Sequence, residues 1–432
     1  MTKAADPSAS FCVLPWIHLF ADESGVMSPC CRTVSTGETN TDGATGKPRR
    51  VDHPDGVIAG MNTPAMATLR SEMLAGIRPG ACARCYMVED LGIRSHRQDQ
   101  NAKWSGAIPG LLAATRADGT ADIELRTADL RLGNVCNLRC RMCSPQSSRA
   151  LIPEFATYHG VPRNHEYFDR FRRVDWFEKS GFWTELEREA PSLEAINFAG
   201  GEPFLIPQMF DFLERMIETG QAARMTISYN TNMTLMPERI KTLWPAFKAI
   251  RVTASLDGHG AVNDYIRAPS RWHVVEENLR YLDSNAETLN LRAGFASNTA
   301  VQILNIFALE PLLAFLLSDL TANECPNLSI VTHPEHLDVR VLPPGLKRRA
   351  AGQLSDLAAR IAEGWPHTAP RRDNSKLVAA LTGIVDHMLA EDHSDRLPEF
   401  LRWTRTMDDA RGERLLQAIP ELAPILGAEA VG

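Results

Sequence analysis

An α/β fold built on a parallel sheet is what this sequence predicts, and three observations carry it. From about residue 121 onward, strand-like and helix-like patterns alternate. The strand candidates are 122–132, 194–199, 225–230, 249–256, 291–303 and 329–332, with helical patterns at 166–189, 206–218, 236–246, 271–284 and 305–318. Hydrophobic residues make up 44% and charged residues 23% of the 432, which suits a chain with a packed core. Strands that alternate with helices imply a parallel sheet, either an open doubly wound one or a partial barrel.

Each element has a local cause. Residues 11–31 read as a hairpin: Trp16 to Phe20 is strand-like, Asp22-Glu23-Ser24-Gly25 supplies the turn, and Val26-Met27-Ser28 returns. Cys12 and Cys30 then fall at the same end of it. Trp16, His18 and Phe20 alternate on one face, which fits core packing or a cover over those thiols. Residues 33–50 are rich in Thr, Gly, Asn and basic residues and read as a mobile loop. Thr63-Pro64 opens a helix, with Thr as cap and Pro in the first turn, where its missing N–H costs nothing. Met66, Leu69 and Met73 share one face of it, and Gly76 ends it. In 271–284, Trp272, Val275, Leu279 and Leu282 recur at helical spacing. Beyond 345 the chain reads as a helical tail of mixed charge. No repeat of solenoid period occurs.

The net charge of −7 argues against nucleic acid held by electrostatics. No apolar run reaches membrane-spanning length, and Met1 to Ser10 lacks the apolar region of a signal peptide, so a cytoplasmic protein with no membrane partner is expected. The nine cysteines are Cys12, Cys30, Cys31, Cys82, Cys85, Cys136, Cys140, Cys143 and Cys325. In a reducing compartment such clusters serve metals or catalysis rather than disulfides.

Cys136-Asn-Leu-Arg-Cys140-Arg-Met-Cys143 follows the first of the alternating strands. Structural zinc takes four ligands, commonly as two close pairs. Three thiols in eight residues, without a nearby His, fit iron–sulfur ligation better. Three thiolates hold three corners of a four-iron cluster and leave one iron open. Further along, Ala199-Gly200-Gly201-Glu202-Pro203 ends the second strand, Tyr229-Asn230-Thr231-Asn232 the third, and Ser255-Leu256-Asp257-Gly258 the fourth, with Asn263 to Arg267 behind it. In this order, over roughly 120–340, these segments resemble the radical S-adenosylmethionine (SAM) superfamily. Met142 departs from the pattern, because the family often has an aromatic residue there. A thioether can still pack on an adenine face.

The resemblance implies a partial (β/α)6 TIM-type barrel with its site at the C-terminal ends of the strands. It implies a [4Fe-4S] cluster on Cys136, Cys140 and Cys143, and SAM bound at its open iron. Reductive cleavage of SAM to a 5′-deoxyadenosyl radical would then take hydrogen from an unactivated carbon of a substrate. Gly200 and Gly201 would let carbonyls approach the SAM amine, and Glu202 would face that cation. Arg267 would pair with the SAM carboxylate or make a surface salt bridge. Ser255 would bind the ribose, and Asn232 stands among the cofactor-binding candidates. Tyr229 and Asp257, near the predicted barrel mouth, would serve either substrate or structure.

A second group precedes the barrel. Twelve residues separate Cys12 from Gly25, four separate Gly25 from Cys30, and Cys82-Ala-Arg-Cys85 follows. This resembles the twitch module, the short form of the SPASM domain, and implies an auxiliary iron–sulfur cluster, of [4Fe-4S] type, on Cys12, Cys30, Cys82 and Cys85. In most relatives the module follows the barrel. Zinc suits four thiolates as well. Cys31 replaces Cys30 as ligand or is a buried thiol. Cys325 has no assigned role beyond that of a spare thiol able to donate a hydrogen atom. Asp408, Asp409 and Arg411 read as a helix-surface ion pair of little worth.

The expected division is a twitch-like domain of hairpin and helix at 1–110, a radical SAM barrel at 120–345 and a helical region at 346–432. Twitch and SPASM relatives act on peptides or on small aminoglycosides. The resemblance therefore implies a peptide-modifying oxidoreductase, with dehydrogenation or epimerisation of a sugar-like molecule as the alternative. A flavodoxin or ferredoxin would be the reductant. A non-catalytic iron–sulfur or zinc protein, used for electron transfer or structure, is the competing class.

Overall fold

The computed structural model describes residues 9–34, 40–43, 45–292, 294–365 and 374–426. The N-terminal signal reading (in residues 1–8), part of the 33–50 loop (35–39 and 44), residue 293 of the fifth strand candidate, and two tail segments (366–373 and 427–432) lie outside these residues. The chain is α/β, with a mostly parallel sheet of eight strands in the order β2-β1-β3-β4-β5-β6-β7-β8. It divides into two compact units: 1–133 with 173–228 and 246–248, and 134–172 with 229–245 and 249–432.

The first unit holds β1 (His18–Ala21), β2 (Met27–Ser28), β3 (Thr127–Arg131) and β4 (Ala195–Ala199). β1 and β2 pair antiparallel, Phe20 opposite Ser28, around the expected turn. Asp22 closes that turn, since its Oδ1 accepts the N–H groups of Ser24 and Val26, both at 2.9 Å. The hairpin is not free-standing. β1 runs parallel to β3, His18 opposite Thr127, and β3 runs parallel to β4, Thr127 opposite Ala195. The expected strand at Trp16 is corrected: Leu14–Ile17 is a helical turn with all four residues buried. Pro15 suits that first turn, and Trp16 packs with Met66, Leu69 and Met73 in the unit's core. The helix Pro64–Leu74 has the predicted cap, Thr63 accepting from Met66 N–H. Residues 40–50 are more than a loop: Thr41 bridges Pro48, and Val26 bridges Arg50.

The continuous helix expected at 166–189 is broken into Glu166–Phe168, Asp169–Arg172, Trp176–Glu178 and Ser180–Glu189. Burial of Trp176, whose indole N–H donates to Glu23 O at 3.1 Å, competes with the helical path.

β5 (Thr226–Thr231) runs from the first unit into the second. The second unit adds β6 (Ala249–Ser255), β7 (Ala296–Val301) and β8 (Asn327–Ile330), with β6–β7 and β7–β8 parallel. The six alternating strands are therefore present, shorter than predicted at most ends. The helix Trp272–Ser284 buries Trp272, Val275, Leu279 and Leu282, as its periodicity required. The 305–318 helix shrinks to Leu309–Ala314 and loosens into a π turn at Phe315–Asp319. The helices Pro344–Ala362, Ser375–Ala390 and Leu397–Arg411 share a core with Val301, Ile303 and Leu313. Among the described residues no helix is long and apolar enough to cross a membrane.

Candidate metal centres

The three-cysteine loop lies in the second unit and takes no regular secondary structure. Its shape comes from hydrogen bonds at its base and back. Asn134 Nδ2 donates to Pro145 O (2.9 Å) and Phe171 O (2.8 Å), and Ser148 Oγ donates to Leu138 O (2.7 Å). The N–H groups of Arg139 and Arg141 donate to Ala268 O (2.6 Å) and Ile266 O (2.8 Å). This back-to-back pairing brings Arg267 to the thiols, with Nη1 3.9 Å from Cys140 Sγ. Its Nε stands 2.7 Å from Asp257 Oδ2. That contact is a close ion pair, with the N–H not directed along a hydrogen bond to the carboxylate. Asp257 is fully buried and accepts Ala300 N–H at 2.8 Å. Arg267 is thus an interior cation and not a surface salt bridge. Asn232, which follows β5 directly, approaches Cys136 Sγ at 4.0 Å and donates to Asn137 Oδ1 at 2.9 Å. Leu138 N–H reaches Cys136 Sγ at 3.4 Å.

The sulfurs therefore face donors: an amide, a carboxamide and a guanidinium. Thiolates need such partners, since a buried anion is costly unless it is paired. Cys140 is held below the ordinary thiol range, first by a hydrogen bond from Cys143 and then, against burial, by Arg267. Cys143, the donor in that pair, is raised, and burial adds to the rise. A cationic, donor-lined loop fits an anionic cluster on these three cysteines.

Ser255 is half-buried at the end of β6, in register with Asn298. Tyr229 is buried and accepts from Trp244 Nε1 at 3.2 Å, against a ring stacked at 5.4 Å. Its place is structural. Cys325 packs against the second unit's core.

In the first unit, Gly200 takes φ +112°, and Gly201 N–H donates to Gly133 O at 2.9 Å. A Cβ on Gly200 would stand 2.8 Å from Leu132 N and 2.9 Å from Gly133 O. Glycine is required there by the backbone of β3's exit, a reason that the motif alone did not supply. Glu202 is buried and accepts Phe204 N–H at 3.2 Å, which caps the turn Pro203–Leu205.

The same unit gathers Cys12, Cys30, Cys82 and Cys85. Burial raises the Cys12 thiol, and charge on each of the other three raises it further. Cys82 is pushed up to about 12, by burial first and then by Cys30 and Cys85. Cys31 feels Asp129 and Cys30 and rises to about 11, chiefly through burial. Cys30 thus neighbours both Cys12 and Cys82, while Cys31 lies beside Cys30 and Asp129. Cys30 Sγ also receives Arg32 N–H at 3.4 Å. Among the described residues no group of three or more His, Cys, Asp and Glu closes around a single-ion position. A four-iron cube is wider than one ion and needs no such closure.

Residues of the tail that had read as a surface ion pair are buried instead. Asp408 meets Arg141 at 2.6 Å, and Arg411 meets Glu154 at 2.8 Å. Asp409 alone stays outside, 3.9 Å from Arg414. Two arginines inside the cysteine loop were the available signal, since a buried cation needs a counter-charge from elsewhere.

Residues 130–290 match the family model of the Radical SAM superfamily. No curated protein matches the chain. Among solved structures, the chain is similar to Streptococcus suis SuiB bound to S-adenosylmethionine, at 12% identity and TM-score 0.34, covering 64% of this chain and 58% of that one. It is similar to native anSMEcpe with bound AdoMet and Cp18Cys peptide, at 14% identity and TM-score 0.35, covering 56% and 60%. It is also similar to SuiB bound to the precursor peptide SuiA, at 12% identity and TM-score 0.36, covering 69% and 64%. The match thus spans less than two thirds of each of these proteins.

Proposed function

Because residues 130–290 match the Radical SAM superfamily model, we propose that this protein is a SAM-cleaving enzyme that removes hydrogen from a peptide substrate. The carrying observation is the three-cysteine loop 136–143, where Cys136 faces an amide and a carboxamide and Cys140 faces the Arg267 guanidinium. Cys136, Cys140 and Cys143 would hold the cluster. When bound, the cluster and SAM supply one-electron chemistry at an unactivated carbon. Arg267 balances the anionic thiolates, and Asp257 holds its Nε side. Asn232 and Asn137 keep the Cys136 end of the loop in place. Gly200, Gly201, Glu202 and Ser255 are assigned to SAM by their motifs.

The four-thiol group of Cys12, Cys30, Cys82 and Cys85 supports an auxiliary cluster in a twitch-like N-terminal domain. That division (1–110, 120–345, 346–432) and the peptide substrate rest on the resemblance of this cysteine pattern to peptide-modifying relatives. A flavodoxin or ferredoxin would deliver the electron.

Anaerobic reconstitution, dithionite reduction and assay for 5′-deoxyadenosine test the reading. Product is expected from the wild type and not from the Cys136→Ala, Cys140→Ala, Cys143→Ala triple variant. Equal product from both would sink it. Iron loss from a Cys12→Ala, Cys30→Ala variant, with the first cluster intact, tests the auxiliary site. For the substrate, a short peptide encoded beside this gene should change mass under turnover.

A further inference from the structure

The four backbone polar groups of the residues flanking Cys140 are all taken. The N–H groups of Arg139 and Arg141 go to Ala268 O and Ile266 O. Their carbonyls go to the C-terminal helix Leu397–Arg411: Arg141 O accepts Trp403 Nε1 at 3.3 Å, and Arg139 O accepts Arg411 Nη2 at 2.6 Å. This helix lies beyond the segment that matches the superfamily.

The side chains repeat the connection. Arg141 is fully buried; its Nε donates to Tyr265 O (3.0 Å), and its Nη2 donates to Asp408 Oδ1 (2.6 Å) and Glu413 Oε2 (2.7 Å). The guanidinium lies 3.6 Å from the centre of the Tyr265 ring, and Tyr265 Oη donates to the same Asp408 oxygen at 2.8 Å. Asp408 Oδ2 accepts Leu415 N–H at 2.9 Å. On the other flank, Glu154 accepts from Arg411 (2.8 and 3.0 Å) and from Arg139 (2.7 Å). Among the described residues of this network, three cations meet three carboxylates. The network therefore adds fixed geometry beside Cys140 without adding net charge. Removing one partner leaves a buried, unpaired charge, which the fold tolerates poorly.

We propose that the helix 397–411 is a built-in part of the cysteine-loop site, with Asp408 and Arg411 as positioning residues that place Cys140 through Arg141 and Arg139. This rests on the cluster assignment above.

The test is iron retention. Wild type, Asp408→Asn, Asp408→Ala and the exposed-site control Asp409→Ala are reconstituted anaerobically. Iron loss to a chelator and the EPR spectrum of the reduced cluster, with and without SAM, are then followed, and thermal unfolding of the apo protein checks the fold. The Asp408 variants should hold the cysteine-loop cluster roughly 10–100-fold less well, the range for substitutions behind a metal ligand. Their EPR signals should change, and Asp409→Ala should match wild type. Folded Asp408 variants with wild-type retention and spectra would overturn the inference. A wild type whose cluster is indifferent to the triple cysteine substitution would instead overturn the cluster assignment. If neither Asp408 variant folds, hydrogen exchange on wild type decides. The amides of Arg139 and Arg141 should then open together with the helix 397–411, and independent opening refutes the proposal.

Discussion

Replacing Gly200 by alanine separates two reasons for a glycine in the Gly200-Gly201 segment. One reason is ligand approach; the other is internal, and the structure gives it a size. At φ +112° an L-residue pays for backbone strain, about 1–3 kcal/mol. The added Cβ would also stand 2.8–2.9 Å from Leu132 N, Arg131 C and Gly133 O. These are backbone atoms at the exit of β3, so no rotamer change relieves the clash. Overpacking of this kind costs a further 1–3 kcal/mol or so. The expected loss is roughly 2–6 kcal/mol in the apo protein, with no cofactor present. Gly220 is the control in the same unit: its φ is +72°, with nothing within 4 Å of a Cβ. Gly220→Ala should cost only the strain, about 1–2 kcal/mol. Urea unfolding of both apo variants, followed by tryptophan fluorescence, measures the difference. Equal losses, within about 0.5 kcal/mol, would refute the close-approach argument and return Gly200 to a purely cofactor-binding role.

Two further predictions concern the first unit. Arg70 is fully buried and donates to Gly119 O (2.7 Å), Pro15 O (2.9 Å), Met61 O (2.9 Å) and Asn62 Oδ1 (2.6 Å). Arg70→Met keeps much of the packing but strands those acceptors. At about 1–3 kcal/mol for each carbonyl left dry, partly relieved by relaxation, the urea midpoint should drop by the equivalent of roughly 3–5 kcal/mol. A loss under about 1 kcal/mol would show that water replaces the guanidinium. His18, bonded through Nδ1 to Thr127 Oγ1 at 2.7 Å, is pushed down to about 4, chiefly by burial. A base whose folded value lies below its unfolded one (about 6.5) favours folding above that unfolded value. That contribution is lost as pH falls from about 6.5 towards 4. Stability of wild type should therefore fall over this window more steeply than that of His18→Gln. Parallel pH profiles, or an imidazole that titrates near 6.5 by NMR, would contradict the burial argument.

Much of the site was legible because its signals are local. Three thiols in eight residues, a Gly-Gly turn after a strand and a Thr-Pro helix start all act over a few residues, and each kept its expected place. Six strands alternating with helices implied the parallel sheet, because period and length survive in any packing arrangement. The missed elements are those in which distant burial outweighs local pattern. Trp16 looked like a strand residue and lies in a helical turn, drawn into the core with Met66 and Met73. Trp176 broke a helix that periodicity had made continuous.

The sequence by itself determined the chemistry on offer: which thiols occur, at what spacing, and after which strand. Only the tertiary structure decided their company. It joined the hairpin to the sheet through β1 and β3 and turned Arg267 inward to Asp257. It also made Asp408, a surface residue by local pattern, the buried partner of Arg141, 267 positions away. The reason is range. Capping, turn formation and ligand spacing act between near neighbours, whereas the counter-charge of a buried cation is chosen by whichever segment packs against it.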